Sequence, residues 1–553
     1  MPIVEVSLTD LQRLARRSIS GEDLLKALEL MKGEVEEISG DSIVFEASHD
    51  RPDLFSAEGL GRVLRYLLEV EEPPSTPPVG DDVVELKIVN PPRYRPYAYI
   101  SVVKGVELDD EAIRQLFQLQ EKLHATYCRD RALVSIGLYD LDKVKPPITY
   151  TSVSDGRYVP LGYSEEMSLK EILEKTEKGV KYAHLVKEGE YPLLVDSEGQ
   201  VLSFPPILNA EWNKVTPETK NVIIDVTGTE PHLMMRVLNV MTYAVLERGY
   251  GKAFIMMAKV VGGAPDNPYS ITPHLEGKSF SVHVKDVESL LGLQVSAEDV
   301  PLLLKRMGYA VTSTTPDSVK VWVPPYRVDV HGVVDVIEDL AISYGYDELP
   351  TETLPPTHFS GRSGIERLTR TVRDIMVGLG FNEVVNFMLI DPDTLKLVTD
   401  EPFITVANPK MKTYSALRNC MLASILIAGK VNSEKMGEVE VFEVGDYVVP
   451  KQHGAESVRG MAFLLMGDKY TLTDGLVTAK SVALTLGLEY GFEPCESKPY
   501  IRGRAAKILL NNVEVGRVGE VHPEVLVELG LTKPAVAGEF NLTKILREII
   551  ERE

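Results

Sequence analysis

Apolar and polar positions follow two periods along the chain, and the switches between them outline its elements. In the first 75 residues, 8–17 and 22–31 repeat at helical spacing, with Ser7 and Ser20 where N-caps belong. Residues 34–45 (EVEEISGDSIVF) alternate as a hairpin about Gly40 and Asp41, and Ser56 stands before a helix over 57–68. From 83 to 262, strands are predicted at 84–89, 97–103, 133–138 and 222–226, and helices at 110–124, 169–175 and 231–248. From 276 to 350 the pattern gives helices at 285–291 and 300–307 and a hairpin of 310–314 with 319–323. After Pro324 and Pro325 a further helix carries Val333, Val334, Val336, Ile337, Leu340 and Ala341 on an apolar stripe and stops at Gly345. From 361 to 553, helices at 364–380, 414–431 and 472–487 mix with strands at 383–387, 403–406, 439–448, 459–466, 505–510 and 513–518.

These elements predict an α+β multidomain chain: an α/β domain over 1–75, an α+β domain over 83–262, a winged-helix-like domain over 276–350, and a helix-flanked antiparallel sheet over 361–553. The stretches 71–82, 263–275 and 353–358, rich in proline or glycine, read as linkers.

Charge narrows the choice of partners. With 59 Lys+Arg against 82 Asp+Glu, the formal net charge of −23 argues against a surface devoted to nucleic acid, though local basic faces remain open. Cys128, Cys420 and Cys495 are too far apart to form a metal pair or a disulfide framework. No apolar run of about eighteen residues and no signal-type start occurs, so a cytoplasmic chain without a membrane span is expected. Phosphate-loop, nucleophile-elbow and zinc-helix motifs are missing, and His124 and His331 read as structural.

Two clusters hold chemistry. Asp335, Glu338 and Asp339 share one face of a helix, with Asp329 just upstream. Four converging carboxylates would suit a hard cation such as magnesium or calcium; on spacing alone the plainer reading, a solvated helix face, is preferred. Asp225, Thr227 and Thr229 alternate at the end of an apolar strand, which fits either a pocket lip or turn chemistry. His49, Asp50, Arg51 and Asp53 are read as local capping and ion pairing, and Arg418 as packing.

Ordered blocks along the whole chain resemble the phenylalanyl-tRNA synthetase β subunit of archaeal and eukaryotic type. They are HDRPDLFSAEGLGRVLRYLL, RPYAYISVVKG, SFPPILNAEWNKVTPETKNVIIDVTGTE, VPPYRVDVHGVVDVIEDLAISYGYDELP and ANPKMKTYSALRNCMLASIL with VFEVGD. The resemblance implies an (αβ)2 ligase that joins phenylalanine to tRNA(Phe), with ATP and phenylalanine bound on the α subunit. It also implies an editing domain that hydrolyses Tyr-tRNA(Phe), its pocket falling on Leu194, Ser203, Asn209, Asp225 and Thr227. Asp329, Asp335, Glu338 and Asp339 would bind Mg2+, and the last 190 or so residues would form a class II-like module without the catalytic arginine patterns. Tyr139 departs from the family pattern, which has histidine in an IGIHD-like run.

Overall fold

The computed structural model describes residues 2–296, 298–351, 353, 360–433 and 437–550. Apart from Thr353, the linker expected at 353–358 lies outside the described residues. The chain divides into two compact units, Met1–Glu352 and Thr353–Glu553.

In the first unit the predicted caps form. The Ser7 hydroxyl accepts from the Asp10 amide at the start of helix Leu8–Ala15, and Ser20 with Asp23 closes a capping box on helix Gly21–Leu30. Ser56 stands at the N-cap of helix Ala57–Leu67 but makes no side-chain cap bond. Strand Ile3–Ser7 was not foreseen; its five residues run straight into a cap. It pairs with Ser42–Glu46, whose other side pairs with Glu34–Ser39. One hydrophobic core runs from Val4 and Leu64 to Met256 and Val260, so the first 75 residues share their interior with the segment that follows. A buried ion lattice reinforces this. Arg248 bonds Asp10 (Nη1 2.8 Å) and Glu58 (Nε 2.6 Å), and Arg65 reaches Glu247 at 2.6 Å. Arg51 pairs with Asp53 at 2.9 Å, the local ion pairing expected of that loop.

The main sheet runs in the order Leu208–Asn209, Val201–Phe204, Tyr191–Val195, Ile148–Val153, Val79–Val89, Phe254–Gly262, Tyr97–Lys104, Asn221–Gly228, Val134–Asp140. Strand Val79–Val89 starts inside the stretch read as a linker, because Val79 already pairs with Ile255 of strand Phe254–Gly262. Helix Pro231–Glu247 packs on strands Asn221–Gly228 and Tyr97–Lys104. A sheet of this width must twist and curl. Its two outermost regions approach each other: the Asp140 amide donates to Asn213 O at 2.9 Å, and Asn209 Nδ2 to Leu138 O at 3.4 Å.

Residues 278–344 form a second sheet, Lys278–His283, Ser318–Val323 and Ala310–Thr315, with helices Val284–Leu291, Val300–Arg306 and Val333–Tyr344. Its first strand is an addition to the expected hairpin. Gly345 ends the last helix at φ 102°, a backbone conformation that favours glycine. Val334, placed on the apolar stripe from sequence, is 65% exposed.

The second unit is a sheet in the order Asn382–Glu383, Val439–Pro450, Ala455–Met466, Ala535–Asn541, Val513–Val521, Tyr500–Leu510, Tyr490–Pro494. Its neighbours are antiparallel except for the first pair. Alternate residues feed two cores, Val441, Leu464 and Ala537 on one face and Phe442, Phe463 and Val536 on the other. The strand expected at 383–387 is reduced to Asn382–Glu383, and that at 403–406 to a single bridge, Thr405 to Ala416. The helix expected from 414 begins at Leu422. Upstream of it Arg418 turns inward, donating to Glu443 at 2.8 Å and to Asp446 O at 2.8 Å. No helix among the described residues is long and apolar enough to cross a membrane.

Candidate functional site

The site lies where the main sheet closes on itself. Asp225 sits on strand Asn221–Gly228, opposite Gly137 of strand Val134–Asp140. A Cβ at position 137 would fall 2.1 Å from Asp225 Oδ1, so only glycine leaves room for that carboxylate. Tyr139, two residues on, points to the same face. Its hydroxyl bridges Asp225 Oδ1 and, at 2.8 Å, Ser203 Oγ across the closure. These groups, with Asn209, line a cavity of about 50 Å³. Glu121, Arg131 and Lys178 also line it, and Arg131 pairs with Glu121 at 2.8 Å.

Burial raises the Asp225 carboxyl to about 7, although the Tyr139 hydroxyl and the Arg95 charge pull the other way. Burial likewise pushes the Tyr139 phenol well above its ordinary range, so it stays protonated as a donor. His124 packs behind the site. Its Nε2 accepts from the Ile136 amide at 3.0 Å, and burial lowers its pKa to about 4, a structural role as expected.

All five editing residues named from the sequence fall on strands of this sheet, but not on one surface. Ser203, Asn209 and Asp225 line the cavity; Leu194 and Thr227 do not. Leu194 is buried one strand away, opposite Ser203. The Thr227 hydroxyl accepts from Arg95 Nε at 2.8 Å and shares a hydrogen bond with Ser135 at 2.9 Å. The Thr227 side chain thus braces its strand against Arg95 and Ser135 and does not face the cavity. Thr229 lies past the strand end at Gly228, outside the expected alternation.

The acidic helix gives a second cavity, of about 380 Å³, lined by Asp329, Asp335, Glu338 and Asp339. The expected convergence on one metal ion is not what the side chains make. Arg327 occupies the centre, donating to Asp329 at 2.7 Å and to Asp339 at 2.5 Å, and Tyr309 also bonds Asp339. Asp335 caps its helix by accepting from the His331 and Gly332 amides at 2.6 and 2.8 Å. Glu338 pairs with Lys32 at 2.8 Å. Among the described residues no group of three or more His, Cys, Asp or Glu is arranged to hold a metal. The four carboxylates as arranged thus do not fit a shared magnesium ion, which would have to take the place of Arg327 and Lys32.

Sequence reasoning passed over Gly137, Arg95 and Arg327, and noted Tyr139 only as a departure. Three of the four left a signal: Gly137-x-Tyr139 alternates onto one face, and Arg327 stands two residues before Asp329.

Two family models match the chain: the tRNA synthetase B5 domain over residues 280–346, and the phenylalanyl tRNA synthetase beta chain CLM domain over 350–542. The phenylalanine–tRNA ligase beta subunit of Thermofilum pendens is 42% identical over 562 residues, covering 100% of this chain and 99% of the relative. That of Pyrococcus furiosus is 39% identical, covering 99% of this chain and 100% of the relative. A solved N-terminal fragment of the phenylalanyl-tRNA synthetase beta subunit from Pyrococcus horikoshii matches with a TM-score of 0.57 and 39% identity, over 62% of this chain and 100% of the fragment. With full-length relatives at this identity and an architecture of mixed α/β domains to match, the chain belongs to the phenylalanyl-tRNA synthetase β-subunit family, in its archaeal form.

Proposed function

We propose that the chain assembles with an α subunit as an (αβ)2 phenylalanine–tRNA ligase in the cytoplasm, and that it hydrolyses Tyr-tRNA(Phe) in the cavity at Asp225. ATP and phenylalanine bind the α subunit; the second unit of this chain, without the class II arginine patterns, serves as a scaffold and contact surface for it. Editing has a physical motive: a hydrophobic pocket rejects an added hydroxyl by only about a hundredfold, so a second site must remove tyrosine. The observation that carries the reading is the buried pair of polar groups, Asp225 and Ser203, placed to engage a phenolic hydroxyl. Asn209 stands beside them for the aminoacyl group, and the terminal ribose of the tRNA is left to orient the water. Asp335 and Glu338 would take a magnesium ion only in exchange for Lys32, at a junction with the α chain. The test is Asp225→Ala in the chain co-purified with its α chain: hydrolysis of Tyr-tRNA(Phe) falls while phenylalanylation persists. Unchanged hydrolysis would sink the assignment.

A second reading, a tRNA-binding scaffold whose editing pocket has decayed, has one observation in its favour. The cavity is small and already holds a phenol.

A further inference from the structure

We infer that Tyr139 is a resident phenol plug, occupying the position that a tyrosyl side chain takes at Asp225 and leaving it when substrate enters. This rests on the editing reading and goes beyond it by assigning a gate and a measurable signature.

Three observations carry it. The first is chemical identity. The bonds that would recognise a tyrosyl hydroxyl are those Asp225 Oδ1 and Ser203 Oγ already make with the hydroxyl of Tyr139. The second is volume. An apolar cavity of about 150 Å³ admits a benzene ring, whereas the space left here is about 50 Å³. A second aromatic ring does not fit while Tyr139 stays. The third is placement. Tyr139 is fully buried on the last strand of the pairing order, Val134–Asp140, and its hydroxyl reaches across the closure to Ser203, on a strand it is not laddered to, so that bond can part without breaking a ladder. Gly137 beside it has no side chain to obstruct a swing of the ring.

A plug of this kind lowers the competent fraction of the site and leaves the reaction within the bound complex unchanged. Apparent affinity is reduced by that fraction. The plug therefore acts equally on phenylalanyl and tyrosyl ends. Its effect is to keep hydrolysis of the correct product slow at working concentrations, while discrimination itself belongs to Asp225 and Ser203.

The experiment compares wild type, Tyr139→Phe and Tyr139→Ala, each with its α chain, in steady-state hydrolysis of Tyr-tRNA(Phe). The expected result is a KM that falls in that order, by roughly tenfold or more in Tyr139→Ala, with kcat unchanged. Tyr139→Phe keeps the ring and loses the hydrogen bonds, so it reports even if the alanine variant folds poorly. A KM that is unchanged or raised, or a kcat that falls with it, overturns the plug and leaves the editing reading standing if wild type hydrolyses. A second arm needs no hydrolysis: calorimetric titration with p-cresol, the side chain of tyrosine. Saturable binding to Tyr139→Ala, its absence in wild type and its loss in Tyr139→Ala/Asp225→Ala support the plug. If no protein hydrolyses Tyr-tRNA(Phe), that arm alone decides, and the editing reading fails separately. Absence of p-cresol binding by a Tyr139→Ala protein that melts cooperatively overturns the plug.

Discussion

The Asp225 carboxyl makes a pH-dependent liability of the folded chain, and Asp225→Asn removes it. Burial holds the group near 7, against 3.8 for an ordinary aspartate. Its folded pKa is raised, so between these values the folded state binds a proton that the unfolded state has released. The stabilisation is complete below about pH 4 and is lost as pH rises through 7. Linkage over that interval gives a loss of about 2–3 kcal/mol between pH 5 and pH 8 from this one group. Asparagine cannot ionise, yet its carbonyl can still accept from Tyr139. Urea unfolding followed by near-ultraviolet circular dichroism at pH 5, 6, 7 and 8 measures the difference. Wild type should lose about 2–3 kcal/mol relative to Asp225→Asn over the series. Curves that stay parallel to within about 1 kcal/mol would show that Asp225 is solvated or already charged when folded, and the account of the site would be wrong.

Arg248→Met leaves Asp10 and Glu58 buried without their cation and should destabilise the first unit by about 3–5 kcal/mol; urea unfolding measures it, and neutralising both acids in the same chain should recover most of the loss. Arg327→Met leaves Asp329 and Asp339 facing each other, with a similar loss, part of which millimolar magnesium should restore; melting with and without the ion tests this. Gly137→Ala drives a methyl group into Asp225 and the Tyr139 hydroxyl, costing about 1–3 kcal/mol of stability and depressing Tyr-tRNA(Phe) hydrolysis, as unfolding and deacylation assays on the one variant would show.

Most helices could be read from the sequence because their amphipathic spacing and caps are local. Ser7 and Ser20 cap as expected, and helix Leu169–Lys175 has its predicted bounds. Strands were read less well, since a strand exists only through its partners. Ile3–Ser7 and Ala535–Asn541 are fixed by neighbours distant in sequence, and Tyr490–Pro494, short and without a clean alternation, by the strand that follows it. At the site, Asp225 and Ser203, expected together from the family resemblance, come to line one cavity. What joins them could not be read, because it depends on the curl of a wide sheet bringing residue 139 to residue 203. Arg327 was hidden for another reason: four acids in one short segment suggest a missing cation, and no periodicity says that the chain supplies its own.

The closure of the main sheet has a consequence for how any ligand gets in. An outer strand presents a row of unpaired amides and carbonyls that invites another chain to add on. Here strand Val134–Asp140 has part of that row answered across the gap, with Asp140 bonded to Asn213 and Leu138 to Asn209. Prising the gap apart to enlarge the cavity would uncover this backbone and create a template for aggregation. Side-chain rotation within the shut frame would admit a ligand without uncovering that backbone.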